Sequence, residues 1–193
     1  MNAKFADYAT PDILVDTDWL LANLDTPGIR IIESNEDLLL YDVSHIPGAV
    51  HIDWRRDLND QTTRDYVGPE GFAEICRRHG ITPDTTVIFY GDKSNWWACY
   101  AFWVFQLFGH TKAKVLDGGR DKWEEEGKTL TRTVPTYPAS DYPVPALRDD
   151  AAHRGVESLD PPNVAVHVFA RPRSARSRSR MSRATSPSTS RMF

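Results

Sequence analysis

The stretch best suited to chemistry in this 193-residue chain lies between Tyr90 and Trp96. A β-rich run (TVIFY, 86–90) leads into Gly91-Asp92-Lys93-Ser94-Asn95, and an apolar stretch follows over 96–108. A loop joining the C-terminal end of a parallel strand to a helix N-terminus is a natural anion site. Free N–H groups point into it and the helix dipole favours negative charge. A cysteine at its start would have its thiolate stabilised and could act as a nucleophile. Gly91 stands there instead. Cys99 lies one turn inside the helix and reads as a buried small hydrophobe. Cys76 reads the same way, on the apolar face of its own helix. Ser94 has no nucleophile elbow around it and reads as a loop or cap residue. Lys93 is the best candidate for touching an anion, although a solvated lysine is the commoner outcome.

The histidines offer less. His45, His51 and Asp53 match no strong metal-ligand spacing, so no metal is expected. His79 and His110 flank Gly80 and Gly109 at helix C-termini, where the dipole favours a cation. His45, Pro47 and Gly48 read as a turn entering a strand. Asp117-Gly118-Gly119 reads as a loop needing unusual backbone angles.

The elements that must position these residues alternate. Strands are expected at 13–15, 29–33, 49–52, 86–90 and 114–116. Helices are expected from a cap at Asp16 or Thr17 through 24, at 69–79, at 96–108 and at 120–126. Such alternation with short connections predicts an α/β fold, a mostly parallel sheet flanked by helices on both faces. Residues 1–10 read as a flexible N-terminus, 11–132 as one domain, and 133–150 as a Pro-rich extended linker carrying Pro135, Pro138, Pro143 and Pro145.

Composition narrows the classes. About 40% of residues are apolar, enough for one domain, and two cysteines exclude a disulfide scaffold. The longest apolar run, 96–105, is about half of the ~20 residues a membrane span needs. With no apolar leader near Met1, a cytoplasmic setting is expected. The net charge of −4 hides a split: 151–193 holds 8 Arg and 2 acids, leaving 15 basic and 25 acidic residues in 1–150. The Arg/Ser-rich tail cannot bury enough apolar surface to order itself, apart from a short strand candidate at 164–169. The abrupt change after Asp150 points first to out-of-frame translation, then to disorder without a role. A nucleic-acid arm comes last, because no aromatic residues interleave the arginines.

Two motifs carry a resemblance. Tyr41-Asp-Val-Ser-His45-Ile-Pro47-Gly48-Ala49-Val-His-Ile52 fits the N-terminal rhodanese signature at every specified position. Asp117-Gly118-Gly119 with Trp123 partly matches the closing signature, which this chain leaves at Leu116, Arg120 and Lys122. Over about 11–147 the chain resembles the first domain of tandem thiosulfate or 3-mercaptopyruvate sulfurtransferases, actinobacterial type. The resemblance implies a rhodanese-like fold and a parent that moves sulfane sulfur through a cysteine persulfide, without metal or organic cofactor. It also implies that Gly91 occupies the loop-cysteine position because this is the non-catalytic first half, inactive alone. Asp92, Lys93, Ser94, Asn95, Trp96 and Trp97 would then line the cleft or domain interface, facing a second rhodanese domain. Residues 151–193 contain nothing like that domain. The alternative is a stand-alone binding or regulatory module that docks a protein partner through Trp96 and Trp97, with a small sulfur anion as a candidate ligand. A phosphatase of this fold would need a loop cysteine and a phosphate-clamping arginine, and the loop has neither.

Overall fold

The computed structural model describes residues 3–6, 8, 10–63 and 65–146. The expected tail strand at 164–169, and everything else in 147–193, lies outside the described residues.

Five parallel strands form one sheet in the order β1-β5-β4-β2-β3. They are β1 (Leu14–Val15), β2 (Ile29–Glu33), β3 (Ala49–His51), β4 (Thr86–Tyr90) and β5 (Ala113–Leu116). Buried parallel strands carry apolar residues on both faces, and β4 does so in strict alternation. Val87 and Phe89 pack on one side with α3 (Pro69–Arg78) and α4 (Trp96–Leu107). Ile88 and Tyr90 pack on the other with residues of α1 (Thr17–Ala22), α2 (Leu40–Val43) and α5 (Gly119–Glu125). Helices therefore cover both faces, as the alternation predicts.

Local chemistry sets the boundaries. The Asp16 side chain accepts a bond from the Trp19 N–H at 2.7 Å and starts α1. Pro69 opens α3 at a position where its missing N–H costs nothing. Helix α4 is apolar nearly all round because its sheet-facing residues Ala98, Ala101, Val104 and Phe105 are fully buried, while Tyr100 and Trp103 pack on aromatic neighbours. Helix α2 has no sequence signal: it is a single turn without a side-chain cap.

Two expectations need correction. In the N-terminal segment Phe5 is held: it is 1% exposed in the core cluster that includes Leu14 of β1, and Tyr8 packs against its ring. The expected extended linker is, over 133–146, a strap laid back across the domain. Its prolines remove donors, but its tyrosines supply anchors. Tyr137 donates to Gly48 O at 2.8 Å and lies flat under the Arg30 guanidinium at 3.1 Å. The Ser140 N–H donates to Arg77 O at 3.1 Å. Tyr142, 4% exposed, fills a hole between Phe72 and His110.

Candidate functional site at the carboxyl ends of the strands

The loops after β2, β4 and β5 meet at the carboxyl edge of the sheet, the place where open α/β sheets bind ligands. The loop 91–95 sits between the other two and is fixed by both. The Asn95 side chain accepts from Gly91 N–H at 2.9 Å and donates to Leu116 O at 2.7 Å. The Asp92 N–H donates to Asn35 Oδ1 at 3.0 Å. The Asp92 carboxylate in turn accepts the N–H groups of Glu36 and Asp37 at 2.8 and 3.1 Å. The Asn95 N–H donates to Asp92 O at 2.9 Å.

This geometry corrects the anion-cradle expectation. The N–H groups of Gly91, Asp92 and Asn95 are already bonded to groups of the protein itself. There is also no room for a side chain at Gly91. A Cβ there would stand 2.2 Å from Ser34 O, far inside contact distance. A nucleophile at this position would have to displace backbone. Gly119, at φ +59°, closes the other side: a Cβ on it would lie 2.3 Å from Asn95 Oδ1. The expected Asp117-Gly118-Gly119 turn thus abuts the expected loop, and two separate motifs form one structure.

Beneath the loop lies a charge network that the sequence reading missed. Glu33 ends β2 fully buried, and its Oε1 accepts from Arg120 Nη1 at 3.0 Å and Asn35 Nδ2 at 2.5 Å. Tyr90 OH donates to Glu33 Oε2 and accepts from the Ile46 N–H. Burial, reinforced by Glu33, holds the Tyr90 hydroxyl well above the usual phenol range, so it stays a donor. Arg120, 3% exposed, also donates to Ser44 O at 2.6 Å and Ser44 Oγ at 2.8 Å. Its own N–H holds Gly91 O at 3.0 Å. Two signals were available: an acid directly after the apolar Ile31-Ile32 pair of β2, and an arginine where the closing signature usually has an aromatic residue.

The remaining expected residues divide. His45 is buried, stacked on Tyr41 at 3.9 Å, with Nδ1 2.9 Å from Tyr41 O and Nε2 3.1 Å from Thr133 O. Together with a backbone bridge to Thr131, it holds the turn of Pro47 and Gly48 against the strap. Trp123 is buried in the α5 layer, away from solvent. Cys99 is 3% exposed and burial lifts its thiol to about 12. Cys76 is fully buried and its thiol is pushed up as well, so neither is a nucleophile at neutral pH.

The solvent side of the loop belongs to the aromatics. Residues Lys93 to Asn95 run consecutively in the left-handed region, with φ of 46°, 56° and 64°. That turn throws Trp96 outward, 49% exposed, and lays Trp97 on Trp54 at 3.5 Å with 2° between the planes. The two tryptophans therefore have different surroundings, and Trp54 enters as a site residue that no periodicity marked. Glu36, Trp54, Arg55, Lys93, Trp96 and Trp97 line a cavity of about 300 Å³. Among the described residues no helix is long and apolar enough to cross a membrane.

Comparison with known proteins points to one family. The rhodanese-like domain family matches residues 16–126. A thiosulfate sulfurtransferase of Corynebacterium glutamicum is 54% identical over 140 residues, covering 72% of this chain and 46% of that protein. The sulfur carrier protein TtuD of Thermus thermophilus is 51% identical over 168 residues, 83% of this chain and 59% of TtuD. Among solved structures, the 3-mercaptopyruvate sulfurtransferase SseA of Escherichia coli superposes with a TM-score of 0.64 at 27% identity, covering 77% of this chain and 62% of SseA. The chain spans about half the length of the curated relatives it matches.

Proposed function

The chain belongs to the rhodanese family of sulfurtransferases, and from that premise we propose that it is a non-catalytic half of a two-domain enzyme. The parent transfers a sulfur atom from thiosulfate or 3-mercaptopyruvate, leaving sulfite or pyruvate, to a cysteine of the other half as a persulfide, and from there to a thiophile such as cyanide. The observation that carries this reading is Gly91. A Cβ on it would stand 2.2 Å from Ser34 O, and both cysteines of the chain are buried elsewhere. The loop that would present the nucleophile is instead braced internally by Asn35, Asn95 and Arg120. Trp96, exposed beside that loop, is the natural contact for the second half.

The test is reconstitution. The chain is expressed alone, and again with the half of the C. glutamicum thiosulfate sulfurtransferase that it does not match. Thiocyanate formation from thiosulfate and cyanide is expected only from the mixture. Turnover by the chain alone, abolished by Cys99→Ala, overturns the proposal. A second reading, a stand-alone binding module, rests on the same exposed Trp96. It takes over if the mixture neither associates nor turns over.

A further inference from the structure

The strap ends on a buried histidine that neither the loop nor the charge network uses. From Tyr137 onward its anchors lie at the amino ends of the strands, opposite the loop 91–95. Tyr137 reaches Gly48, just before β3, and Arg30, near the start of β2. Ser140 closes the C-terminus of α3: its N–H donates to Arg77 O at 3.1 Å and its hydroxyl to Ile81 O. Arg77 Nε returns a bond to Tyr142 O at 2.9 Å. The Tyr142 side chain then seals His110, which stands just before β5 and is 2% exposed.

The partners of His110 fix its proton. Thr85 O, 3.0 Å from Nε2, can only accept, so Nε2 carries the hydrogen. Nδ1 therefore accepts from the Tyr142 hydroxyl at 3.1 Å. A second proton would sit on Nδ1 and set a donor against that donor. It would also place a charge where no described carboxylate faces the ring. Phe105 of α4 meets the imidazole edge-on at 5.6 Å. Phe72 and Cys76 of α3 stand beside Tyr142. The charged neighbour is Lys112, of the same sign, its ammonium 2.9 Å from Asp84. Burial lowers the proton affinity of His110, outweighing the pull of the Thr85 and Lys112 carbonyls, and the Lys112 ammonium adds repulsion.

We infer that the strap is an acid-released latch, because a second proton on His110 and a seated Tyr142 compete for the same nitrogen. Release frees 137–146, roughly 30 Å of extended chain, and so lengthens the tether to the residues that follow. The loop 91–95 stays braced, since its bonds to Asn35, Asn95 and Leu116 do not involve the strap. The site and the latch occupy opposite edges of one sheet.

Hydrogen exchange of the full chain, read by mass spectrometry and corrected for intrinsic rates, separates strap opening from unfolding. Strap amides should be protected at least about tenfold less than those of 86–90 at every pH, because the strap opens without the sheet. From pH 7 to pH 5 strap protection should fall by up to about 25-fold, the weight of protonating an exposed histidine of ordinary pKa near 6.5. His110→Gln should hold that fall below about threefold, whereas His79→Gln, which removes another histidine lowered by burial, should leave it in place. Tyr142→Phe should open the strap about fivefold more at pH 7, the scale of one hydrogen bond. Imidazole ¹⁵N spectra need no variant: at pH 7 the His110 hydrogen should be on Nε2. Strap protection equal to that of 86–90, a wild-type fall below about threefold, a fall that follows His79 instead of His110, an unchanged strap in Tyr142→Phe, or a hydrogen on Nδ1 overturns the proposal.

Discussion

Replacing Arg120 by methionine should remove the counter-charge of a carboxylate that has no access to water. Glu33 is 0% exposed and would keep only Tyr90 and Asn35 as donors. Breaking a buried pair by deleting one partner costs roughly 3–5 kcal/mol, because the surviving charge is stranded. Arg120→Met should lie in that range. Glu33→Gln should cost less, about 2–3 kcal/mol, since the guanidinium keeps Ser44 O, Ser44 Oγ and the half-exposed Glu124. The double variant carries no stranded charge, so it should fall well short of the sum, with a coupling of about 2–3 kcal/mol. Urea unfolding of the four proteins closes the cycle, and equal slopes would show that only stability changed. An Arg120→Met loss below about 1 kcal/mol, or strict additivity of the two singles, would refute the reasoning that this pair is electrostatically coupled.

The other predictions are simpler. Gly91→Cys should show no thiosulfate:cyanide turnover and lose about 1–3 kcal/mol, the range for overpacking, because its Cβ meets backbone rather than a movable side chain. Stability should fall as pH drops from 6.5 toward 4. Burial, with Arg78 adding repulsion, lowers His79 to about 4, so the unfolded chain binds the extra proton in that window, costing about 2–3 kcal/mol. The contribution is complete above 6.5 and gone below 4; burial lowers His51 and His110 as well, in the same sense. His79→Gln should flatten the profile over that range in unfolding titrations. Tyr142→Ala should cost about 3–5 kcal/mol by emptying the site between Phe72 and His110, whereas Tyr142→Phe, losing one bond of 3.1 Å to His110 Nδ1, should cost about 1 kcal/mol. A Tyr142→Ala variant as stable as the wild type would mean that the strap is not part of the folded unit.

What the sequence made legible follows the range of the forces involved. β2 and β4 fall at 29–33 and 86–90 as expected, because an apolar run bounded by turns is a local signal. The 96–108 helix ends one residue early, at Leu107. The loop 91–95 and the turn at Asp117-Gly118-Gly119 were both visible, but not that they touch. The Glu33–Arg120 pair spans 87 residues, and nothing local announces it. The strap is not legible locally because prolines report what a backbone cannot do, while its attachment depends on Tyr137 and Tyr142 finding Gly48 and His110 far upstream. Trp54 belongs to no periodic pattern, and only the stack on Trp97 gives it a role.

The lengths of the strands bear on how copies of this chain would stick together. The two edge strands are the shortest in the sheet, β1 with two residues and β3 with three, against four or five for the inner ones. Short edges offer few unpaired backbone groups for another chain to template on. Fibrillar, strand-by-strand growth from the native state is therefore disfavoured. Association driven by an uncovered surface should run through the side chains around Trp96, giving reversible, concentration-dependent clusters rather than cross-β fibres.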